Sequence, residues 1–115
     1  MKRIDDEVGA AALAAALGAQ PSRDVVATAV RWTLQCLAES VPGKSVEVRV
    51  PPYGAVQAVD GPRHTRGTPP NVIEVDAATW LALATGALGW SDARAAGRIE
   101  ASGARADLTA FLPIV

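Results

Sequence analysis

The chain is poor in cysteine, histidine and aromatic residues, and each shortage removes a class of chemistry. A single cysteine, Cys36, leaves no internal disulfide and no cysteine-cluster metal site. A single histidine, His64, excludes a histidine-rich zinc or iron centre built within one chain. Charge of one sign is also missing: eleven basic against twelve acidic side chains leave a net charge of -1. A nucleic-acid binder would need a basic excess to neutralise phosphates, so that class is excluded. An apolar fraction of 50% with so little net charge excludes a disordered tail as well. Aromatic side chains number only five, whereas alanine supplies 24 residues. Alanine buries little area, so stability rests on close helix packing and on Val, Leu and Ile. Small side chains also leave open the reading that an internal space awaits a ligand.

At 115 residues there is room for one domain with one core. Lys2 and Arg3 ahead of the apolar run Val8 to Ala19 superficially resemble a signal peptide, but Asp5, Asp6 and Glu7 intervene and no clean cleavage site follows. The run is too short to span a bilayer. It reads instead as a helix capped near Asp5, with acidic residues at its positive end, forming an N-terminal helical extension over residues 1–20.

Pro21 and Ser22 open the strongest helix signal, which continues to about Ser40. Val26, Val30, Thr33, Leu34, Leu37 and Val41 recur at three- and four-residue steps, and Val25, Ala29, Trp32 and Cys36 widen that face. Asp24, Thr28, Arg31, Gln35 and Glu39 form the wet stripe opposite. Cys36 accordingly reads as a small core filler. Pro42 and Gly43 stop the helix. Ser45 to Val50 then alternates as a strand with one buried side, and Ala55 to Val59 reads as a second strand antiparallel to it. Asp60 to Asn71 is aperiodic and proline- and glycine-rich. A third strand covers Val72 to Val75, and Asp76 caps a helix that stops at Gly86. A short helix capped by Ser91 or Asp92, a fourth strand at Arg98 to Ser102 and a last short helix capped by Asp107 complete the chain. Helices and strands in separate runs predict an α+β sheet with helices packed on one face.

No catalytic arrangement stands out. His64 has no partner placed by spacing, and neither a Gly-x-Ser-x-Gly elbow nor a Gly-x-Gly-x-x-Gly phosphate loop occurs. The paired carboxylates are explained by capping and strand faces, so the expectation is no enzyme activity and no cofactor. Within Gly61 to Asn71, Arg63, His64 and Arg66 lie inside four residues. They would suit an anion or lipid headgroup, or could pair with Asp60, Glu74 or a partner chain to hold the loop down. Trp80, Leu88, Trp90, Phe111 and Leu112 gather the large apolar groups in the C-terminal half, as plain core or as the wall of a pocket.

The stretch Asp76-Ala77-Ala78-Thr79-Trp80-Leu81-Ala82-Leu83-Ala84-Thr85-Gly86, continuing through Trp90-Ser91-Asp92-Ala93 to Ala96-Gly97-Arg98-Ile99-Glu100-Ala101-Ser102-Gly103 and Leu112-Pro113, resembles the C-terminal half of the sterol carrier protein superfamily. Val46 through Pro51-Pro52 to the Gly61–Asn71 loop is similar to a small actinobacterial branch of it, and together they span roughly residues 22–115. The resemblance implies a sterol-carrier-like domain over residues 21–115, with a mostly antiparallel five-stranded sheet and an apolar cavity between sheet and helices. It implies a lipid, sterol or fatty acyl ligand, with tunnel-facing helices around Trp32 and Leu37, around Trp80 and Leu83, and around Phe111 and Leu112. Leu88 and Trp90 join them from the pocket-wall reading, and Arg63, His64 and Arg66 stand as the candidate headgroup or anion contacts. The peroxisomal C-terminal tripeptide of eukaryotic relatives is lacking, so a cytoplasmic carrier with at most transient membrane contact is expected. A homodimer or protein partner through the Gly61–Asn71 loop is the other partner expectation. The alternative is an accessory module with a filled core, similar to the C-terminal domain of mycothiol-dependent maleylpyruvate isomerases without their metal-binding helical domain.

Overall fold

The computed structural model describes residues 2–61 and 70–115. Helix α1 spans Asp6–Ala16 and is capped by Asp5, whose carboxylate accepts from the Glu7 N–H. Helix α2, Arg23–Ser40, begins at Ser22, whose Oγ accepts from the Val25 N–H at 3.2 Å. Strands β1 (Val46–Val50) and β2 (Gly54–Ala58) form an antiparallel hairpin, and β3 (Val72–Glu74) follows. Helix α3, Ala77–Thr85, is capped by Asp76 and ends at Gly86, which adopts φ +82° as a left-handed stop. Helix α4 covers Trp90–Ala95, strand β4 Glu100–Ser102, and a 3-10 turn Thr109–Phe111.

The sheet corrects the expected topology. Four strands are described, in the order β2-β1-β3-β4, and the central β1–β3 pair is parallel. Residue-by-residue reading finds those four strands; a fifth is implied only by the resemblance. The parallel pair arises because the chain leaves β2, passes through the loop and returns on the opposite edge of β1, so β3 runs in the direction of β1. Strand β3 then pairs antiparallel with β4.

Val46, Val48 and Val50 are fully buried on the inner face of β1, while Glu47 and Arg49 face outward and pair at 2.9 Å. Helix α2 packs along β2 and against α3, contributing Ala29, Val30, Leu34 and Leu37 to one core with Ile73, Trp80, Leu83 and Leu108. One polar contact lies inside it. The Trp80 indole N–H donates to Thr33 Oγ1 at 2.8 Å, and the Thr33 hydroxyl lies 2.8 Å from the Ala29 carbonyl, to which it donates. Both side chains are completely buried, and each has its hydrogen bond met. A second tie is Asn71, which donates from Nδ2 to the Ser45 carbonyl and accepts at Oδ1 from the Arg105 N–H, joining the start of β1 to the turn after β4.

Local departures have local causes. Helix α4 starts two residues earlier than a Ser91 cap would set it and three earlier than Asp92: Gly89 is its cap, without a side-chain hydrogen bond, because the Ala93 N–H already reaches the Gly89 carbonyl. The last helix is reduced to a 3-10 turn, with Asp107 bonding the Thr109 N–H and Pro113 close behind. Cys36 is half-buried rather than core, and burial pushes its thiol pKa up.

Replacing Thr33 by Val strands the Trp80 N–H in the core, and the expected loss is about 1–3 kcal/mol in urea unfolding. Thr33→Val combined with Trp80→Phe should recover part of that loss, because the orphaned donor is then absent.

Candidate functional site

Two clefts at the margins of the core gather the residues of interest. The first lies at the C-terminal end. Leu83 from α3, the Gly86 stop, Leu88, Gly89, Trp90 at the head of α4, and Thr109, Leu112 and Pro113 from the tail enclose about 240 Å³. The tail is held there by backbone bonds from the Ile114 and Val115 N–H groups to the Ala84 carbonyl, at 2.8 and 3.1 Å. Trp90 is only 5% exposed, and its indole N–H is the one buried side-chain polar group among the described residues with no hydrogen-bond partner. Trp90 also borders a neighbouring cleft with Ser91, Arg94, Ala95, Asp107 and Thr109.

The second cleft is a groove of about 430 Å³ at the opposite end of the sequence. Its walls are the N-terminal segment before α1, the outer stripe of α2 and the edge strand β2. Ile4, Leu34, Ala38, Ala55 and Val56 supply its apolar surface, and Lys2, Arg3, Arg31 and Glu39 its charge. The N-terminal segment is fastened by side chains of α2. Gln35 bonds both ways to the Ile4 backbone, at 2.8 and 2.9 Å. The Arg3 guanidinium donates to both Glu39 oxygens, at 2.6 and 2.9 Å, and to Asp6 at 3.1 Å. Behind this clasp, Gly9 of α1 lies directly against the Trp32 ring, and the Trp32 N–H donates to Asp6 at 3.0 Å. The hydrogen bond from Trp32, then that from Arg3, holds the Asp6 carboxyl below its ordinary pKa; Arg3 does the same for Glu39, and both carboxylates raise that of Arg3. A third cleft is lined by Pro51, Val75 and Gly97 together with Glu74, Asp76, Arg98 and Glu100, so its surface is divided between apolar and charged groups.

The eight residues expected around an apolar ligand therefore divide. Leu83, Leu88, Trp90 and Leu112 meet in the C-terminal cleft. Leu37 and Trp80 are fully buried core, Trp32 is covered by α1, and half-buried Phe111 packs on the core. The layer between sheet and helices is filled by Trp80, Leu34, Leu37, Ile73, Leu83 and Leu108. Arg63, His64 and Arg66 lie outside the described residues. Sequence reasoning missed the groove. Its one signal was the Arg31, Gln35, Glu39 stripe at four-residue steps, which reads as a solvated face until the N-terminal segment is laid across it.

The described fold is an α+β sheet of four strands, covered by helices on its valine face. A family model described as bacterial SCP ortholog matches residues 22–114, and the chain belongs to that family. Helix α1 and the segment before it precede the matched region. No curated protein matches the chain. Among the described residues, no helix is long and apolar enough to cross a membrane.

The clasp predicts an acid-labile N-terminus. Carboxylates whose pKa falls on folding contribute stability above their ordinary values, 3.8 for Asp6 and 4.5 for Glu39. That contribution is lost as pH drops through the lower folded-state values. Amide exchange of α1 should accelerate below pH 4 before the core exchanges, and Arg3→Gln should bring the same loosening at neutral pH. Gly9→Ala, whose added methyl meets the Trp32 ring, should also release α1, at a cost of about 1–3 kcal/mol in unfolding free energy.

Proposed function

We propose that this chain is a non-enzymatic binder of a lipid or fatty acyl ligand, held at the C-terminal cleft. The observation that carries the reading is the convergence of Leu83, Leu88, Trp90 and Leu112 from separate segments on one apolar cleft, with the Trp90 indole N–H lacking an acceptor among the described residues. A buried donor without a partner is costly in water-free surroundings, and a guest carbonyl, carboxylate or hydroxyl oxygen would remove that cost. Family membership supports the same ligand class. A volume of about 240 Å³ is below the ~300–1,000 Å³ typical of small-molecule sites, so the cleft takes one end of a chain and opens by displacement of half-buried Leu88 and Leu112. Each methylene it covers contributes about 0.8 kcal/mol.

The filled layer between sheet and helices favours a second reading, an accessory or protein-interaction module. Calorimetric titration with fatty acids of increasing length separates the two. The carrier reading expects saturable binding that tightens with chain length, weakened roughly two- to tenfold by Trp90→Phe, which keeps the ring but removes the donor. Absence of saturable binding at every length leaves the module reading in its place.

A further inference from the structure

We propose that the groove between the N-terminal segment, α2 and β2 is a separate binding site for a single anionic amphiphile, a carboxylate or phosphate monoester on an aliphatic chain of medium length. The groove shares no lining residue with the C-terminal cleft, and the segment that completes it lies before the family-matched region.

Size comes first. At about 430 Å³ the groove falls within the ~300–1,000 Å³ range of small-molecule sites. Its floor is aliphatic: Ile4 from the N-terminal segment, Leu34 and Ala38 from α2, and Ala55 and Val56 from β2. These contacts suit methylenes and offer nothing specific to a polar polymer.

Charge then selects the head. Lys2, Arg3 and Arg31 line the groove against one carboxylate, Glu39. Both Glu39 oxygens are taken by Arg3, which also holds Asp6, so counting Asp6 still leaves three cations against two anions. Among the described residues, the groove cations without a carboxylate partner are Lys2 and Arg31. Arg31 is anchored by its Nε–H to the Tyr53 carbonyl at 2.9 Å, and its two Nη groups have no hydrogen-bond partner among the described residues. A guanidinium fixed at one nitrogen presents the remaining donors in a set direction, an arrangement suited to a carboxylate or phosphate oxygen. A cationic or neutral amphiphile would gain the floor but not this contact.

The clasp gives the site its wall. Without the Arg3–Glu39 pair and the Gln35–Ile4 bonds, Lys2 and Ile4 would leave the groove, and only the α2–β2 side would remain.

The test uses the full chain, methyl- and amide-resolved NMR, and monomeric decanoate, decyl phosphate, decanol and decyltrimethylammonium as probes. Decanoate and decyl phosphate should shift Ile4, Ala38, Val56 and Tyr53 saturably. Affinity should rise about fourfold per methylene from hexanoate to decanoate and fall as salt is added. Arg31→Gln should weaken both anions about fivefold and leave decanol unchanged. The wild-type probe series stands even if a variant folds poorly. Equal binding of decanol or the ammonium probe overturns the anion assignment. Shifts confined to Leu88, Leu112 and Ile114 overturn the groove site while leaving the C-terminal reading intact. Shifts confined to the groove do the reverse.

Discussion

The hydrogen bond from the Trp80 indole to Thr33 Oγ1 is the constraint around which the core is arranged. A chain with so few large side chains has little apolar area to spend on holding helices to a sheet, and Trp80 is the largest fully buried residue it has. Burying an indole whole requires an acceptor for its N–H in a place water does not reach. Thr33 supplies it from the middle of α2, and its own hydroxyl proton goes back to the Ala29 carbonyl. This fixes the rotation of α2 against α3: turn α2 by one residue and the acceptor is lost. With that rotation set, Leu34 and Leu37 point to the sheet, and Arg31, Gln35 and Glu39 are left on the outer stripe.

That outer stripe explains why α1 adds to the domain rather than trailing from it. Alanine-rich α1 has little apolar volume of its own to pack, and Val8 and Leu17 remain exposed. It is attached by the close approach of Gly9 to Trp32 and by Ala12, Leu13 and Ala16, which pack against the core, together with charged and amide groups of α2 that grip the segment before it. An interface of that kind is sensitive to protonation, whereas the buried polar residues described in the core, Thr33, Ser45, Asn71 and Thr79, do not ionise.

The helices and the inner strand were legible because their signals are local. Ser22, Asp5 and Asp76 act as caps, Gly86 stops α3, and Val46, Val48 and Val50 alternate inward, all as spacing alone indicates. Strand count and the parallel β1–β3 pairing were not local: they depend on which edge of β1 the returning chain meets, and no residue type in β3 records that. The candidate ligand residues show the same boundary. Leu83, Leu88, Trp90 and Leu112 could be grouped because their apolar character is unusual in this chain, but Leu37, Trp80 and Trp32 share that character and went to core or beneath α1. The groove was invisible for the opposite reason: Arg3 and Glu39, 36 positions apart, each look like ordinary surface charge.

The three tryptophans make the distinction that composition could not. An indole has a large apolar body and a single donor, so its setting is defined by what receives the proton. Trp32 gives it to Asp6 and thereby ties α1 to α2; Trp80 gives it to Thr33 and ties α2 to α3. Both are structural, since their one polar atom is already used. Trp90 is buried between those two in degree, lies at the head of a helix whose cap is a glycine with no side chain to offer, and gives its proton to nothing among the described residues. A sealed, unmet donor at the edge of an apolar cleft is a cost that folding alone does not relieve. That asymmetry, rather than the number of aromatic residues, is the physical reason to look for a guest at the C-terminal end and not within the filled layer between sheet and helices.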